Sequence, residues 1–261
     1  FYQSQAENPT VTATPAGDPP NLTERDFIPA DGVMLLAAHV GRSHTLTHWL
    51  DASIVDELDP EHRDPELDIY NPDNPNQPPY SQDFVTRYRE AQFARNRRIT
   101  AWAQQKLEGF RNSAQPNREF GFVVHGTMAD PKWLDPAIDP NDRKPRWCFL
   151  GEPEIVNNGP VGIARFCTLR SWLSQWSYDL SNADGIRCAA SVTVPALVLG
   201  NSADDACTPG DTDGLYNALA SSDKQREEII GANHYYFGQP EHLKEAVSRA
   251  SGWLQSKGFS G

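Results

Sequence analysis

Acidic and imidazole side chains follow two strand-like segments in the last third of the chain. Asp204 and Asp205 come shortly after the apolar segment 195–200, and His234 comes shortly after the segment 227–230. When a carboxylate accepts a hydrogen bond from one imidazole nitrogen, the other nitrogen is free to take a proton from a nucleophile. These residue types therefore predict the acid–base half of a hydrolytic catalytic site, provided that the chain brings them together.

The segments around these residues have a pattern that would bring them together. Residues 195–200, Pro-Ala-Leu-Val-Leu-Gly, form a short apolar run that is typical of a strand buried on both faces. Apolar residues at helical spacing follow in 211–220, and segment 227–230 predicts a second strand. Parallel strands place the loops at their carboxyl ends side by side, at the edge where open α/β sheets carry their chemistry. Segment 33–38 predicts a third buried strand.

Three of these features resemble the α/β-hydrolase superfamily. They are the apolar segment 195–200, an Asp-x-x-x-Pro spacing that starts at Asp205, and Gly-Ala-Asn-His at 231–234. The resemblance implies that Asp205 is the acid and His234 the base of a catalytic triad, with Asp204 as second choice for the acid. It also implies an α/β fold with a mostly parallel sheet and a mainly helical cap insertion. The structural alternative is that the aspartates cap the next helix and the histidine lies in a turn.

The resemblance also divides the chain into a core and an insertion. Residues 1–50 and 186–261 would form the C-terminal part of an α/β-hydrolase core whose first strands are missing. Residues 51–185 would form the cap over the site. A cap of this kind would contribute the walls of a substrate pocket.

Periodicity within and after the insertion predicts several elements. Residues 82–110 have the longest helical pattern in the chain, and 161–178 have a second apolar helical face. Segment 51–80 contains many Asp, Pro and Asn residues and few apolar ones, which predicts a long surface excursion. Apolar residues at three- and four-residue steps in 240–254 predict the terminal helix that covers the sheet.

A catalytic triad also needs a nucleophile, which this superfamily carries on a Gly-x-Ser-x-Gly turn between a strand and a helix. The sequence has no such motif, and the nearest one is Gly-Arg-Ser-His-Thr at 41–45, which makes Ser43 one candidate. The bulky neighbours of Ser43 argue against a tight turn there. The favoured candidate is a serine upstream of Phe1, because the whole chain resembles the part of a bacterial α/β-hydrolase that follows the nucleophile elbow. The chain would then be a fragment or a processed subunit. The signatures that carry this resemblance lie at residues 1–6, 14–19, 48–57, 95–102, 171–176 and 201–209.

Composition and charge restrict the partners. The 261 residues carry a net charge of −12, which argues against nucleic acid and anionic membranes as partners because both require a basic face. No apolar run approaches the roughly 18–20 residues of a membrane span. The four cysteines form no close C-x-x-C pair, so we expect no metal, and no cofactor is expected either. Their wide spacing predicts free thiols in a cytoplasmic protein, with two disulfides as the alternative.

Two functions remain in competition. The first is a serine hydrolase that cleaves an ester, thioester or related acyl bond of a small molecule, with Asp205 and His234 as its acid–base pair. The second is a non-catalytic α/β-hydrolase-like module that binds a small molecule. Two further partners are expected: a separate N-terminal segment that carries the nucleophile, and a second copy of the chain in a homodimer.

Overall fold

The computed structural model describes residues 1–259, which form a mixed α/β structure. In chain order the elements are α1 (Tyr2–Glu7), β1 (Val33–Leu36), α2 (Arg42–Trp49), α3 (Gln82–Arg111), β2 (Gly121–Val123), α4 (Pro153–Asn158), β3 (Phe166–Thr168), α5 (Leu169–Ser171), α6 (Gly185–Ala189), β4 (Ala196–Asn201), α7 (Pro209–Ala218), β5 (Lys224–Ile229) and α8 (Pro240–Ser256).

The main sheet has three parallel strands in the order β1-β4-β5. All three strands predicted from the sequence are therefore confirmed, with bounds shifted by a few residues. β4 lies at the centre and is buried along its whole length, as its apolar composition predicts. Ala196 and Val198 pack into one buried cluster, while Leu199 packs into another with Ile229 and Ala246, so the two faces of the sheet have separate cores.

The two outer edges of this sheet differ in chemistry. β5 has the sequence Lys-Gln-Arg-Glu-Glu-Ile, and charged residues of this kind protect an edge strand against pairing with other chains. β1 has the sequence Val-Met-Leu-Leu and carries no charge. Within residues 1–259, β1 pairs only with β4, so its other edge is open, and Leu36 keeps 44% of its surface exposed. The apolar strand is therefore the one whose edge remains unprotected.

Helices α7 and α8 cover the sheet after β4 and β5. Leu215 of α7 is buried, as is Leu219 directly after this helix, and α8 buries Ala246 and Trp253. The terminal helix predicted at 240–254 is thus confirmed. These two helices leave the carboxyl ends of β4 and β5 free, and the loops that follow those strands lie there.

Residues 51–185, which the resemblance predicts as a cap insertion and which are called the insertion below, contain one long helix, α3, but they are not mainly helical as predicted. Most of the remaining residues form turns and irregular segments. The hydrogen bonds in the first part of the insertion explain the low helix content. Aspartate and asparagine side chains there accept hydrogen bonds from backbone N–H groups two residues further on, and such bonds compete with helix formation. The residues that do so are Asp51, Asp56, Asp64, Asp68, Asn71 and Asn74.

The second helix predicted in the insertion, over 161–178, is wrong. Phe166–Thr168 is instead β3, which pairs antiparallel with β2. Thr168 and Ser171 then form a reciprocal capping box that begins α5, and residues Trp172–Trp176 continue as a π-helical turn. The strand pairing and the cap therefore divide a segment whose apolar spacing resembles one helix.

The insertion packs directly against the rest of the chain. One buried cluster contains Leu46 of α2 and Leu50, which directly follows this helix. Ile99 of α3 and Trp172 belong to the same cluster. Four cysteines are buried with free thiols, in agreement with the sequence. Among the described residues, no helix is both long and apolar enough to cross a membrane.

Candidate active site

The loops after β4 and β5 lie against each other at the carboxyl end of the sheet. Asn201, the last residue of β4, donates through Nδ2 to the carbonyl of Asn233 at 3.0 Å. Ser202 accepts a hydrogen bond at Oγ from the Gly231 amide at 2.8 Å, and the Ala203 amide donates to the Ala232 carbonyl at 3.0 Å. This network holds the acid loop (residues 204–208) beside the loop that carries His234.

Asp204 and His234 form a direct hydrogen bond within this network. The distance from Asp204 Oδ2 to His234 Nδ1 is 2.9 Å. The other oxygen, Oδ1, accepts hydrogen bonds from the backbone amides of Ala206 and Cys207 at 2.8 and 2.7 Å. Asp204 is completely buried. An ionised carboxylate can only accept hydrogen bonds, so Nδ1 carries the proton and Nε2 is left as the basic nitrogen.

The sequence predicted Asp205 as the partner of His234, and the structure places Asp204 there instead. Asp205 is also buried, but its Oδ1 has no hydrogen-bond partner. Burial, followed by the negative charge of Asp204, raises the pKa of Asp205 to about 6. The reason for the difference is local: one oxygen of Asp204 closes the turn at 204–207 through the amides of Ala206 and Cys207, which leaves its second oxygen for His234.

The environment of His234 favours its protonated form. Burial alone lowers the pKa of this imidazole, but the hydrogen bond to Asp204 and the charges of both aspartates outweigh burial and raise the pKa above 6.5. The ring of Tyr235 lies 4.4 Å from the imidazole, and the ring of Phe149 lies 6.1 Å away, centroid to centroid. No hydrogen bond reaches Nε2 of His234 from any residue between 1 and 259.

The thiol of Cys207 also lies close to the Asp204–His234 pair. Asp204, Cys207 and His234 each place one possible ligand atom within 4.8 Å of the others. However, both carboxylate oxygens of Asp204 already accept hydrogen bonds, and Cys207 packs in an apolar cluster with Trp133. Burial and nearby carboxylates also raise the pKa of the Cys207 thiol strongly, which makes it a poor nucleophile.

Ser43 does not contact the Asp204–His234 pair. Helix α2 begins at Arg42, and Ser43 lies in its first turn. Ser43 is 1% exposed, and its Oγ has no hydrogen-bond partner. Gly41 precedes this helix with a positive φ of 133°, and a side chain there would collide with the carbonyl of Ala183. The serine is therefore enclosed rather than presented on an exposed turn.

Sequence reasoning did not find Phe149, Asn201 and Asn233, which shape or support this site. Phe149 belongs to the insertion, and its ring lies near the imidazole of His234 although the two residues are more than eighty positions apart in the sequence. Asn201 has a weak local signal, because it is a polar residue directly at the end of a buried strand. Nothing in the sequence near Phe149 connects it with His234.

Comparisons with known proteins gave only partial structural matches. No protein-family model and no curated protein matches the chain. A monoacylglycerol lipase from Paleococcus ferrophilus aligns with 61% of this chain and 52% of its own, at 21% identity and a TM-score of 0.32. A protein named as a non-heme bromoperoxidase from Mycobacterium tuberculosis aligns with 31% of this chain and 28% of its own, at 22% identity and a TM-score of 0.23. The chain thus spans about half the length of the lipase, and TM-scores this low do not establish a shared fold.

Proposed function

We propose that this chain supplies the acid–base pair of a serine hydrolase of the α/β-hydrolase type, which cleaves an ester, thioester or related acyl bond. The observation that carries the proposal is the 2.9 Å hydrogen bond between the buried carboxylate of Asp204 and Nδ1 of His234. Two backbone amides fix the second carboxylate oxygen, so the carboxylate has a defined orientation. Asp204 thereby replaces Asp205 as the proposed acid.

The proposed reaction follows from the hydrogen bond at Nδ1 of His234, which leaves Nε2 free to accept a proton. Nε2 of His234 takes the proton of a serine hydroxyl as the serine oxygen bonds to the acyl carbon. Asp204 stabilises the imidazolium that results. The imidazolium then gives that proton to the departing alcohol or thiol, and the acyl–serine ester is left. In the second half, Nε2 takes a proton from water as the water oxygen attacks the ester carbonyl carbon. The imidazolium then gives this proton to the serine oxygen as the bond between that oxygen and the acyl carbon breaks, which releases the carboxylic acid and the free serine.

The proposed nucleophile is a serine outside residues 1–261. In the described part of the chain no serine hydroxyl is hydrogen-bonded to His234, and Ser43 is enclosed. The open edge of β1 provides a place for another strand, because β1 is apolar and uncharged whereas the opposite edge of the sheet is charged. A strand that pairs with this edge would supply the missing half of the site.

The position of that edge is suitable for catalysis. A parallel strand beside β1 would end next to residues 37–39, at the same end of the sheet as the acid loop. Burial first, and then the charges of Arg42 and His234, lower the pKa of His39 in this loop, so His39 lies within electrostatic range of the proposed base. A serine at the end of the added strand would therefore lie at the same end of the sheet as His234.

The second candidate is a non-catalytic small-molecule-binding module, which one feature favours. The insertion encloses a polar cavity of about 490 Å³, and neither Asp204 nor His234 lines it. Arg63, Asp68 and Asn157 are among its polar lining residues. In this account the cavity would bind a ligand, and the Asp204–His234 pair would only stabilise the loops.

Labelling with a fluorophosphonate probe tests the two candidates. We expect the longest natural polypeptide that contains this chain to be labelled at a serine outside residues 1–261, as mapped by mass spectrometry. The His234→Ala variant should lose the label, whereas His242→Ala should keep it, since His242 is a half-buried residue of α8 whose imidazole contacts the Ile230 carbonyl. Labelling at Ser43 would refute the external nucleophile. Absence of label would favour the binding module.

A further inference from the structure

Three successive backbone carbonyls of the acid loop accept hydrogen bonds from one stretch of the insertion. Asn141 Nδ2 donates to the carbonyl of Asp204 at 2.7 Å, and Trp133 Nε1 donates to that of Asp205 at 2.7 Å. Lys132 Nζ donates to the carbonyl of Ala206 at 3.2 Å. Residues 132–141, here called the clamp segment, thus bond every peptide carbonyl between the acid and Cys207.

These side-chain donors bind carbonyl groups that water would hydrate in an exposed loop. Trp133 and Lys132 are buried, and Lys132 Nζ also donates to Thr208 Oγ1 at 3.2 Å. A buried ammonium needs nearby negative charge. Burial raises the pKa of Asp130, but the charge of Arg89 and then that of Lys132 lower it below its ordinary value. The charge of Lys132 also opposes the raised pKa values of Asp205 and Asp211, in which burial is the largest cause. The clamp segment is therefore bonded to the acid loop and also compensates its charge.

The clamp segment is itself held in place. Arg143 is buried, and its guanidinium donates to the carbonyls of Lys132 at 2.8 Å and Ile138 at 2.7 Å. The Asp142 amide donates to the Ser202 carbonyl at 2.8 Å, and Ser202 Oγ donates to Asp142 Oδ2 at 2.6 Å. The donors therefore cannot follow a displacement of the acid loop without breaking several other bonds.

We propose that Lys132, Trp133 and Asn141 are positioning residues, which hold the carboxylate of Asp204 at hydrogen-bond distance from His234. The amides of residues 206 and 207 fix the carboxylate from one side of the loop, and the clamp segment fixes the carbonyls on the other. Rotation of any of these peptides would move the carboxylate away from the imidazole. Only the catalytic consequence of this assignment rests on the proposed hydrolase function.

The Trp133→Phe variant tests the assignment most sharply, because it removes the indole N–H and keeps an aromatic ring. NMR of the 261-residue chain can follow the Nδ1-bound proton of His234 and the pH at which the imidazole titrates. With the hydrogen bond loosened, we expect the titration midpoint to fall toward its ordinary value and the Nδ1 proton to exchange faster with water. Trp147→Phe is the matched control, since Trp147 lies in the same insertion and its ring stacks under Lys144.

Three further variants guard against simple unfolding. Asn141→Ala changes a half-buried residue, Lys132→Met removes the ammonium, and Lys132→Arg keeps the charge while it alters the donor geometry. Asn141→Ala and Lys132→Met should both lower the titration midpoint of His234, and Lys132→Arg should lower it less than Lys132→Met does. The assignment is overturned if folded Trp133→Phe and Asn141→Ala chains leave both the midpoint and the proton unchanged.

Turnover provides a separate readout. If the hydrolase function holds, Trp133→Phe should lower kcat for an activated ester by roughly 10- to 100-fold in the polypeptide that carries the serine, with a smaller effect on KM. An altered His234 titration in a polypeptide that never hydrolyses the ester would leave the positioning role intact and refute the proposed function. Hydrolysis with unaltered titration in the variants would refute the positioning role.

Discussion

Asp204 and Asp205 are adjacent and both buried, yet only Asp204 has both of its carboxylate oxygens hydrogen-bonded. Asp205 retains one buried oxygen without a partner. Asp204 thus has the geometry of a triad acid, whereas Asp205 has the raised pKa of a buried carboxyl with an unpaired oxygen. The two residues make a matched pair for experiment because they have the same side chain in the same loop.

The first prediction concerns the identity of the acid. Asp204→Asn should lower turnover of an activated ester on the order of 10³- to 10⁴-fold, because an amide cannot hold the imidazole in the required tautomer or stabilise its charge. Asp205→Asn should retain turnover within about tenfold of the unmodified protein, since Asp205 contributes only a more distant charge. Steady-state kinetics on both variants checks this. Equal losses, or a larger loss for Asp205→Asn, would restore the assignment made from the sequence.

The second prediction concerns the pH dependence of the reaction. A general base must be neutral, so kcat/KM should rise with pH as His234 loses its proton. Because Asp204 and Asp205 raise the pKa of His234 above 6.5, the midpoint of this rise should lie above 6.5. Asp205→Asn should move the midpoint down, since one of the two stabilising charges is lost. A rise centred below 6.5 in the unmodified protein would contradict this account of the electrostatics.

The third prediction concerns the cost of the buried Asp205 carboxylate. Its pKa is about 6 in the fold and 3.8 ordinarily, so between these pH values the folded chain binds more protons than the unfolded one. The stability that protonated Asp205 contributes is therefore present at low pH and is lost as pH rises through about 6. At pH 7.5, about 1.5 pH units above the pKa of about 6, the Asp205 carboxyl is mostly ionised, and Asp205→Asn should raise the free energy of unfolding by about 1–3 kcal/mol.

Urea denaturation at two pH values checks this third prediction. The gain from Asp205→Asn should be present well above pH 6 and should shrink at about pH 4.5, where the native carboxyl is mostly protonated. Asp204→Asn is the control and should destabilise the chain, because it removes a partner from His234 and from two backbone amides. A gain of equal size at both pH values would mean that the charge of Asp205 is not its cause.

The parts of the fold that were predictable have local causes. Segments 33–38, 195–200 and 227–230 are short, apolar or β-rich, and bounded by turn residues, so their strands and the loops after them could be placed from the sequence. His234 was found for the same reason. The choice between Asp204 and Asp205 could not be made, because it depends on which side chain closes a turn, and adjacent residues in a turn point in different directions.

The parts that were missed depend on contacts between distant positions. Phe166 and its neighbours form a strand because 121–123 lies beside them, and the apolar spacing of 161–178 contains no sign of that partner. Likewise, Lys132 and Trp133 reach the acid loop from more than seventy positions away. Side chain to backbone bonds of this range carry no periodic signal, so sequence patterns do not predict them.

The last prediction concerns the open edge of β1. The amides of Val33 and Ala37 donate to β4, so the alternation of a parallel strand points the amides of Met34 and Leu36 toward the open edge. If a strand that carries the nucleophile pairs there, these two amides should exchange hydrogen roughly 100-fold or more slowly in the longer polypeptide than in residues 1–261. Val33 and Ala37 serve as internal references because they are bonded in both forms. Hydrogen-exchange mass spectrometry or NMR measures all four, and equal exchange of Met34 and Leu36 in the two forms would show that the edge is not where the missing strand pairs.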